Sequence, residues 1–153
     1  MRTIDQFITD LDIFKNYLEN SFAQDILTEA TMDMSAQITG RVQQTGKLAS
    51  GITHVYSPWW AEERTKKGLQ TAYKDYFYTG EMWRNTGLVP GKTTKQKVFI
   101  GGKTAEAQYK LNENSRIDKT NIINPTEQEI DEAAAYIRKE LIIYMNEKLA
   151  KNV

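Results

Sequence analysis

The stretch that most constrains this fold is residues 78–85, YTGEMWRN, near the middle of the chain. It follows a basic, helix-like run and precedes the most strand-like run in the sequence. Glycine adopts backbone angles that other residues avoid, so a Thr-Gly step between two such runs indicates a sharp turn. The sequence therefore predicts a hinge at Thr79 and Gly80, which sets the angle between a helical segment and a β-hairpin.

Amphipathic helices are predicted at both ends of the chain. Thr3 is a good N-cap, and the apolar stripe after it suits either the core or a neighbouring subunit. From 27 to 44 the pattern weakens, which predicts a break or a second helix near Met34 and Ser35. Thr126 and Glu129 form a capping box that opens the last helix, to about residue 149. The apolar stripe of the first helix consists of Ile4, Phe7, Ile8, Leu11, Phe14, Leu18, Phe22 and Ile26. The predicted buried face of the last helix consists of Ile130, Ala133, Ala134, Ile137, Leu141, Met145 and Leu149.

A central helix is predicted to begin at Ser57, with proline at its first position, and to end at Gly68. Trp59 and Trp60 point about 100° apart on such a helix, so one is expected in the core and the other at the surface. Residues 51–56 read as a strand or an extended loop edge, and 69–77 as a connector or short helix with aromatic anchors. His54, the single histidine, is expected to be structural.

After the hinge the sequence predicts two paired strands. The first covers 82–89 with a bulge at Gly87, a turn follows at 90–92, and the second covers 96–102. Thr104 is predicted to cap a short helix over 105–111, followed by a polar loop over 112–121. The predicted fold is α+β: long N-terminal and C-terminal helices packed on a small antiparallel sheet. One domain is expected over 1–153, with a helical part at about 3–45, a helix–hairpin part at about 52–102 and the last helix at about 126–149.

Composition excludes several kinds of chemistry. The chain has 153 residues and no cysteine, so thiol catalysis and disulfides are impossible. We find no nucleophile elbow, phosphate loop or paired acid and base, and we expect no enzyme activity, no cofactor and no metal. Twenty basic residues balance twenty acidic ones, which argues against a dedicated nucleic-acid binder. The first residues do not resemble a signal peptide, and no apolar run suggests a membrane span.

The order of motifs from about 57 to 150 resembles one protein family. A Ser-Pro helix start with Trp60, Ala61 and Arg64 is followed by Lys-Lys-Gly at 66–68, Tyr-Thr-Gly-Glu-Met at 78–82, a hairpin, and Asn-Pro-Thr at 124–126 before an amphipathic helix. This is similar to the tail-completion or virion morphogenesis proteins of tailed bacteriophages, the small head–tail connector and minor tail class.

The resemblance implies a structural subunit of a ring that joins portal or adaptor to tail, made in the bacterial host cytoplasm and used in the virion. Implied partners are copies of the same chain, the portal or adaptor, tail proteins and, non-specifically, DNA passing through the lumen; no membrane is implied. Candidate interface residues are Trp59, Arg64, Lys66, Lys67, Tyr73, Tyr76 and Trp83.

Two other interpretations stay open at this stage. A small nucleic-acid-binding module would use the basic and aromatic segment 64–78, with tyrosines stacking on bases. An adaptor between cellular proteins would instead use the aromatic stripe of the N-terminal helix.

Overall fold

The computed structural model describes residues 23–89 and 97–150, and these form a mixed helical and β fold, as predicted. The elements are α1 (Ala23–Thr45), α2 (Pro58–Lys66), α3 (Glu81–Arg84), β1 (Thr86–Leu88), β2 (Ile100–Gly102), α4 (Ala105–Ile117) and α5 (Glu127–Ala150). The predicted helix start at Thr3, the turn at 90–92 and the first residue of the second predicted strand, Gln96, lie outside the described residues. Within the described ranges, no helix is long and apolar enough to cross a membrane.

Helices α1 and α5 pack as an antiparallel pair. Arg41 contacts Glu129, while Glu29, earlier in α1, accepts a hydrogen bond from Tyr136, later in α5. The predicted break near Met34 and Ser35 is wrong, because α1 continues through both residues. Burial of Ile38 and Val42, 1% and 0% exposed, outweighs the weak local pattern.

The capping box at the start of α5 is confirmed. The backbone N–H of Thr126 donates to Glu129 Oε2 at 2.7 Å, and the N–H of Glu129 donates to Thr126 Oγ1 at 3.1 Å. Arg41 Nε donates to Glu129 Oε1 at 2.8 Å, so one buried carboxylate caps α5 and also ties it to α1. Burial raises the pKa of Glu129, but the hydrogen bonds from Arg41 and Thr126 outweigh it, and the pKa lies below its ordinary value.

The predicted buried face of α5 is wrong in part. Glu129 is buried, whereas Ile130 is 49% and Met145 41% exposed. Helix α1 covers the face of α5 that carries Glu129 and Tyr136, and Ile130 lies one residue step, about 100°, around the helix from it. The rest of the predicted face is half-buried: Ala133, Ala134, Ile137 and Leu141. The side chain of Leu149 lies outside the described residues.

The hinge leads into a short helical turn before the hairpin. Gly80 has φ +74° and caps α3, so residues 82–84 are helical where a strand was predicted. Strands β1 and β2 pair antiparallel with Thr86 opposite Gly102, Gly87 opposite Gly101 and Leu88 opposite Ile100. This one-to-one register excludes the predicted bulge at Gly87.

Helix α4 is longer than predicted. Thr104 caps it as expected, accepting from the N–H of Ala107 at 3.1 Å, but the helix continues to Ile117, into the predicted polar loop. Arg116 pairs with Glu113 at 2.8 Å on its surface, while Leu111 is buried. A helix with one apolar face was therefore mistaken for a loop.

The core lies beneath the hinge. Met82 and Trp83 follow Gly80 after one residue and are 6% and 5% exposed, so both side chains lie in the core. They contact residues from α1, α4 and the loops beside them. The core cluster consists of Val42, Leu48, Met82, Trp83, Leu111 and Ile122, with Tyr76, Phe77 and Ile123 against it.

Gly102→Ala should destabilise the protein strongly. A Cβ at Gly102 would overlap the backbone N and Cα of Gln108 in α4, and backbone cannot move aside as a flexible side chain does. We expect a loss of at least about 3 kcal/mol in the free energy of unfolding, measured by urea denaturation. Gly40→Ala is the matched control: a Cβ there meets nothing within 4 Å, and α1 should gain about 0.5–1 kcal/mol. Similar effects of the two changes would contradict the packing of α4 on β2.

Glu129→Gln should change how stability depends on pH. The folded-state pKa of Glu129 is depressed, so its ionised form contributes stability above the ordinary pKa of 4.5, and that contribution is lost as pH falls through the folded value. We expect the variant to be less stable than wild type at neutral pH, with the difference shrinking below pH 4.5. Urea midpoints between neutral pH and about pH 3 measure this; a difference that stays constant would contradict it.

Candidate binding surface

The connector between α2 and α3, residues 67–80, is organised by one buried arginine. Arg64 is 2% exposed, and its Nη2 donates to both carboxylate oxygens of Asp75 at 2.9 Å. Nε donates to the carbonyl of Gln70 at 2.8 Å, and Nη1 donates to the carbonyl of Phe77. A planar guanidinium with donors on several sides therefore holds three points of the connector at once.

Asp75 extends this network towards the hinge. Its Oδ1 accepts from the Tyr56 hydroxyl at 2.7 Å and from the Phe77 N–H at 2.9 Å. Burial, then the hydrogen bond to Asp75, raises the pKa of Tyr56, so its hydroxyl stays protonated and donates. Trp83 Nε1 donates to the Asp75 carbonyl at 2.9 Å, which fastens the connector to the core below the hinge.

A second carboxylate holds the same connector against α4. Asp118, just after α4, accepts from Lys74 Nζ at 2.6 Å and from the Tyr76 hydroxyl at 2.8 Å, and His54 Nδ1 lies 3.8 Å away. Tyr76 has φ +54°, a left-handed conformation that costs a non-glycine residue energy. Its N–H donates to the Tyr56 hydroxyl at 3.1 Å. The backbone and the side-chain hydroxyl of this strained residue are therefore both held by hydrogen bonds. Burial, then the bond to Asp118, raises the pKa of Tyr76.

Next to these networks lies an exposed set of aromatic rings, Trp59, Trp60 and Tyr78, which we call the aromatic ledge. The rings of Trp59 and Trp60 meet edge to face with centroids 5.0 Å apart, and those of Trp60 and Tyr78 with centroids 5.4 Å apart. Lys67 Nζ lies 4.3 Å from the Tyr78 ring centroid. The two tryptophans are 62% and 42% exposed, so the prediction that one of them enters the core is wrong. Arg64, not a tryptophan, is the residue that α2 buries.

A groove of about 590 Å³ opens between the aromatic ledge and α4. Its walls are mainly apolar and aromatic, with the hinge residues Thr79, Gly80 and Glu81 also lining it. Lys110 Nζ bridges to Glu81 at 3.3 Å across one side. A concave surface of this kind is suited to hold a side chain or a short segment of another molecule. The other main lining residues are Trp60, Tyr76, Tyr78, Met82 and Ile117.

The charged groups beside the groove are already paired. Asp75 is bound by Arg64, and Asp118 by Lys74 and Tyr76. Among residues 23–89 and 97–150, no cluster of three histidine, cysteine or acidic side chains is placed to hold a metal ion. What the groove and aromatic ledge offer to another molecule is therefore apolar and aromatic contact area.

The structure separates the seven predicted interface residues into three groups. Trp59, Lys66 and Lys67 are exposed, although Lys66 pairs with Glu62 at 3.1 Å and Glu63 at 2.7 Å. Tyr73 and Tyr76 are half-buried, and both hydroxyls bond within the chain, Tyr73 to the Gln44 carbonyl at 2.5 Å. The last two, Arg64 and Trp83, are buried, so neither side chain reaches the surface.

The predicted interface residues did not include Trp60 and Tyr78, which the structure places in the aromatic ledge. The helix start at Ser57 was recognised, and it places Trp60 in the first turn, where its N–H donates to Ser57 Oγ at 3.4 Å. Tyr78 comes two residues before Gly80, in the approach to the turn. For Trp60, a position in the first turn of a helix favours exposure. For Tyr78, a position beside a glycine turn does so.

Comparison of the sequence with known protein families and curated proteins, and of the structure with solved structures, gives no match.

Arg64→Met should destabilise the whole connector. It leaves the Asp75 carboxylate buried without its cation and leaves two carbonyls without their donor. Breaking a buried pair in this way costs about 3–5 kcal/mol, which urea denaturation measures. Lys66→Met on the same helix is the control: its ion pairs are exposed, and we expect little change. Equal effects of the two variants would contradict the central role of Arg64.

Proposed function

We propose that this chain is a structural virion protein of a tailed bacteriophage, a head–tail connector or tail-completion subunit. Copies assemble into a ring that joins portal or adaptor to tail. The family resemblance is the source of this identity. It is supported by the order of elements: a helix that begins at Ser57, the left-handed Gly80, a two-stranded hairpin and a capping box that opens α5.

The observation that carries the proposal is the aromatic ledge. Tryptophan and tyrosine dominate the energetics of protein interfaces because they bury much area at a small cost in conformational entropy. Here three such rings are exposed, and their edge-to-face contacts hold them in place before any partner arrives. Large exposed apolar patches on a folded protein mark sites that bind other molecules, other protein subunits among them. The aromatic ledge therefore supports a function in binding other protein subunits.

The same geometry gives less support to a nucleic-acid-binding module. Binding to phosphates needs free cations. Arg64 is bound to Asp75, Lys74 to Asp118 and Lys66 to Glu62 and Glu63. Lys67 lies over the Tyr78 ring. The assembly proposal is consequently the one that we carry forward.

Trp59→Ala should weaken assembly without affecting the fold. Trp59 is 62% exposed, so its loss leaves the core intact, whereas truncating a central interface tryptophan costs about 2 kcal/mol, roughly 30-fold in affinity. Mass photometry of the chain with its virion partners measures this, and closed oligomers of fixed copy number are expected for wild type. Tyr109→Ala, at a 65% exposed aromatic residue of α4, is the matched control.

Images of purified particles test the identity itself. We expect the protein as a ring at the head–tail junction or tail end, and portal, capsid and tail-tube genes beside its gene. Particles that lack the protein, or a chain that stays monomeric with those partners, would overturn the proposal.

A further inference from the structure

The β-hairpin is the part of the chain in which positive charge is not balanced. Residues 82–105 contain five lysines and arginines and no aspartate or glutamate, although the whole chain has twenty basic and twenty acidic residues. The rest of the chain therefore has fifteen basic residues against all twenty acidic ones. Three of the five belong to the described residues and are exposed, and we call them the hairpin cations: Arg84, Lys97 and Lys103.

The hairpin cations are unpaired, whereas most cations around the connector are bound to a carboxylate. Within residues 23–89 and 97–150, none of the three forms an ion pair. The two acidic residues that flank the stretch in the sequence, Glu81 and Glu106, both bind Lys110, at 3.3 and 2.6 Å. An anion that approaches the hairpin cations therefore has no ion pair of theirs to break.

The pairing of the two strands fixes where the cations lie. The N–H of Lys103 donates to the Asn85 carbonyl at 2.7 Å, which brings Lys103 beside Arg84 at one end of the hairpin. The Lys103 side chain lies over Gly87, where a Cβ would be 3.0 Å from its Cε and 3.3 Å from its Nζ. Lys97 comes six residues earlier, a separation of up to about 20 Å in extended backbone. The positive charges are thus spread along the hairpin.

A spread of this kind fits a polymer of negative charge. A small anion is bound in a concavity where donors converge, which these three side chains do not form. A nucleic-acid duplex carries one negative charge per about 1.7 Å of its axis, so about 20 Å of hairpin faces several phosphates. Lysine is depleted at interfaces between proteins, and interfaces with nucleic acid are much more positively charged. A stretch of 24 residues without an acid therefore favours nucleic acid over an acidic protein.

We propose that the hairpin cations bind the phosphate backbone of nucleic acid. Contacts from lysine and arginine to phosphate oxygens carry no sequence information, so the binding is independent of base sequence. Three such contacts give a weak interaction, with a slope of about −2.7 for the logarithm of the binding constant against the logarithm of salt concentration. The proposal goes beyond the proposed function, which needs only contacts between proteins, and it does not use the segment 64–78.

Fluorescence anisotropy of a labelled duplex DNA, with the full-length chain raised to about 1 mM at several salt concentrations, tests the proposal. Arg84→Gln with Lys103→Gln should weaken binding at least about tenfold at the lowest salt and reduce the slope to about −0.9. Lys97→Gln alone, at the other end of the hairpin, should reduce the slope by about 0.9. Duplex RNA under the same conditions shows whether DNA, RNA or both supply the phosphates.

The matched control removes the same two kinds of charge elsewhere. Arg138 and Lys139 are exposed on α5, and Arg138→Gln with Lys139→Gln should leave the affinity and the slope unchanged. Urea midpoints of both double variants should match the wild type, since all four side chains are exposed. An equal loss in the two double variants would mean that binding follows net charge alone and would overturn the proposal. Failure of the wild type to bind either duplex, or tighter binding of polyglutamate than of both, would also overturn it.

Discussion

The ion pair between Arg64 and Asp75 is the interaction on which the centre of the molecule depends. An arginine in the interior costs several kcal/mol in lost hydration unless its nitrogens find acceptors. Here a carboxylate and two backbone carbonyls accept from all three nitrogens, and the guanidinium carbon lies 4.2 Å from the Tyr56 ring centroid. The connector has no regular secondary structure of its own, and the hydrogen bonds from Arg64 take the place of the backbone bonds that a helix or strand would make. One buried side chain thereby holds an irregular segment at three points.

This fixed connector determines where the surface features lie. Through Asp75 it holds the indole of Trp83, and through Tyr76 it reaches Asp118 after α4. Tyr78 follows one residue after Phe77, whose carbonyl and N–H are both bound by the network. Buried polar groups beneath the aromatic ledge therefore position its rings. The hinge at Gly80 then leads from the fixed connector into α3 and the hairpin.

Local signals in the sequence were read correctly where the chemistry is local. The caps at Ser57, Thr104 and Thr126 were recognised because each side chain bonds to a backbone group three residues away. The hinge was recognised from the glycine at position 80, which has φ +74° in the structure.

Tertiary contacts account for the errors. Helix α1 stays unbroken because distant residues bury Ile38 and Val42, and residues 112–117 of α4 are helical although their composition is that of a loop. Arg64 was placed at the surface because lysines follow it closely; nothing nearby in the sequence shows that Asp75, eleven residues later, receives it. The exposed aromatic ledge could not be predicted from periodicity, since an apolar residue has the same pattern whether its partner is the same chain or another.

The exposure of the aromatic ledge has a consequence for which substitutions this helix tolerates. Trp59 and Trp60 stand on the first turn of α2, whose start is set by Ser57 and Pro58, while Arg64, one to two turns further along, holds the connector in place. The exposed surface and the buried scaffold thus draw on different residues of one nine-residue helix. The side chains at the two tryptophan positions can change with little effect on the fold, whereas the arginine cannot.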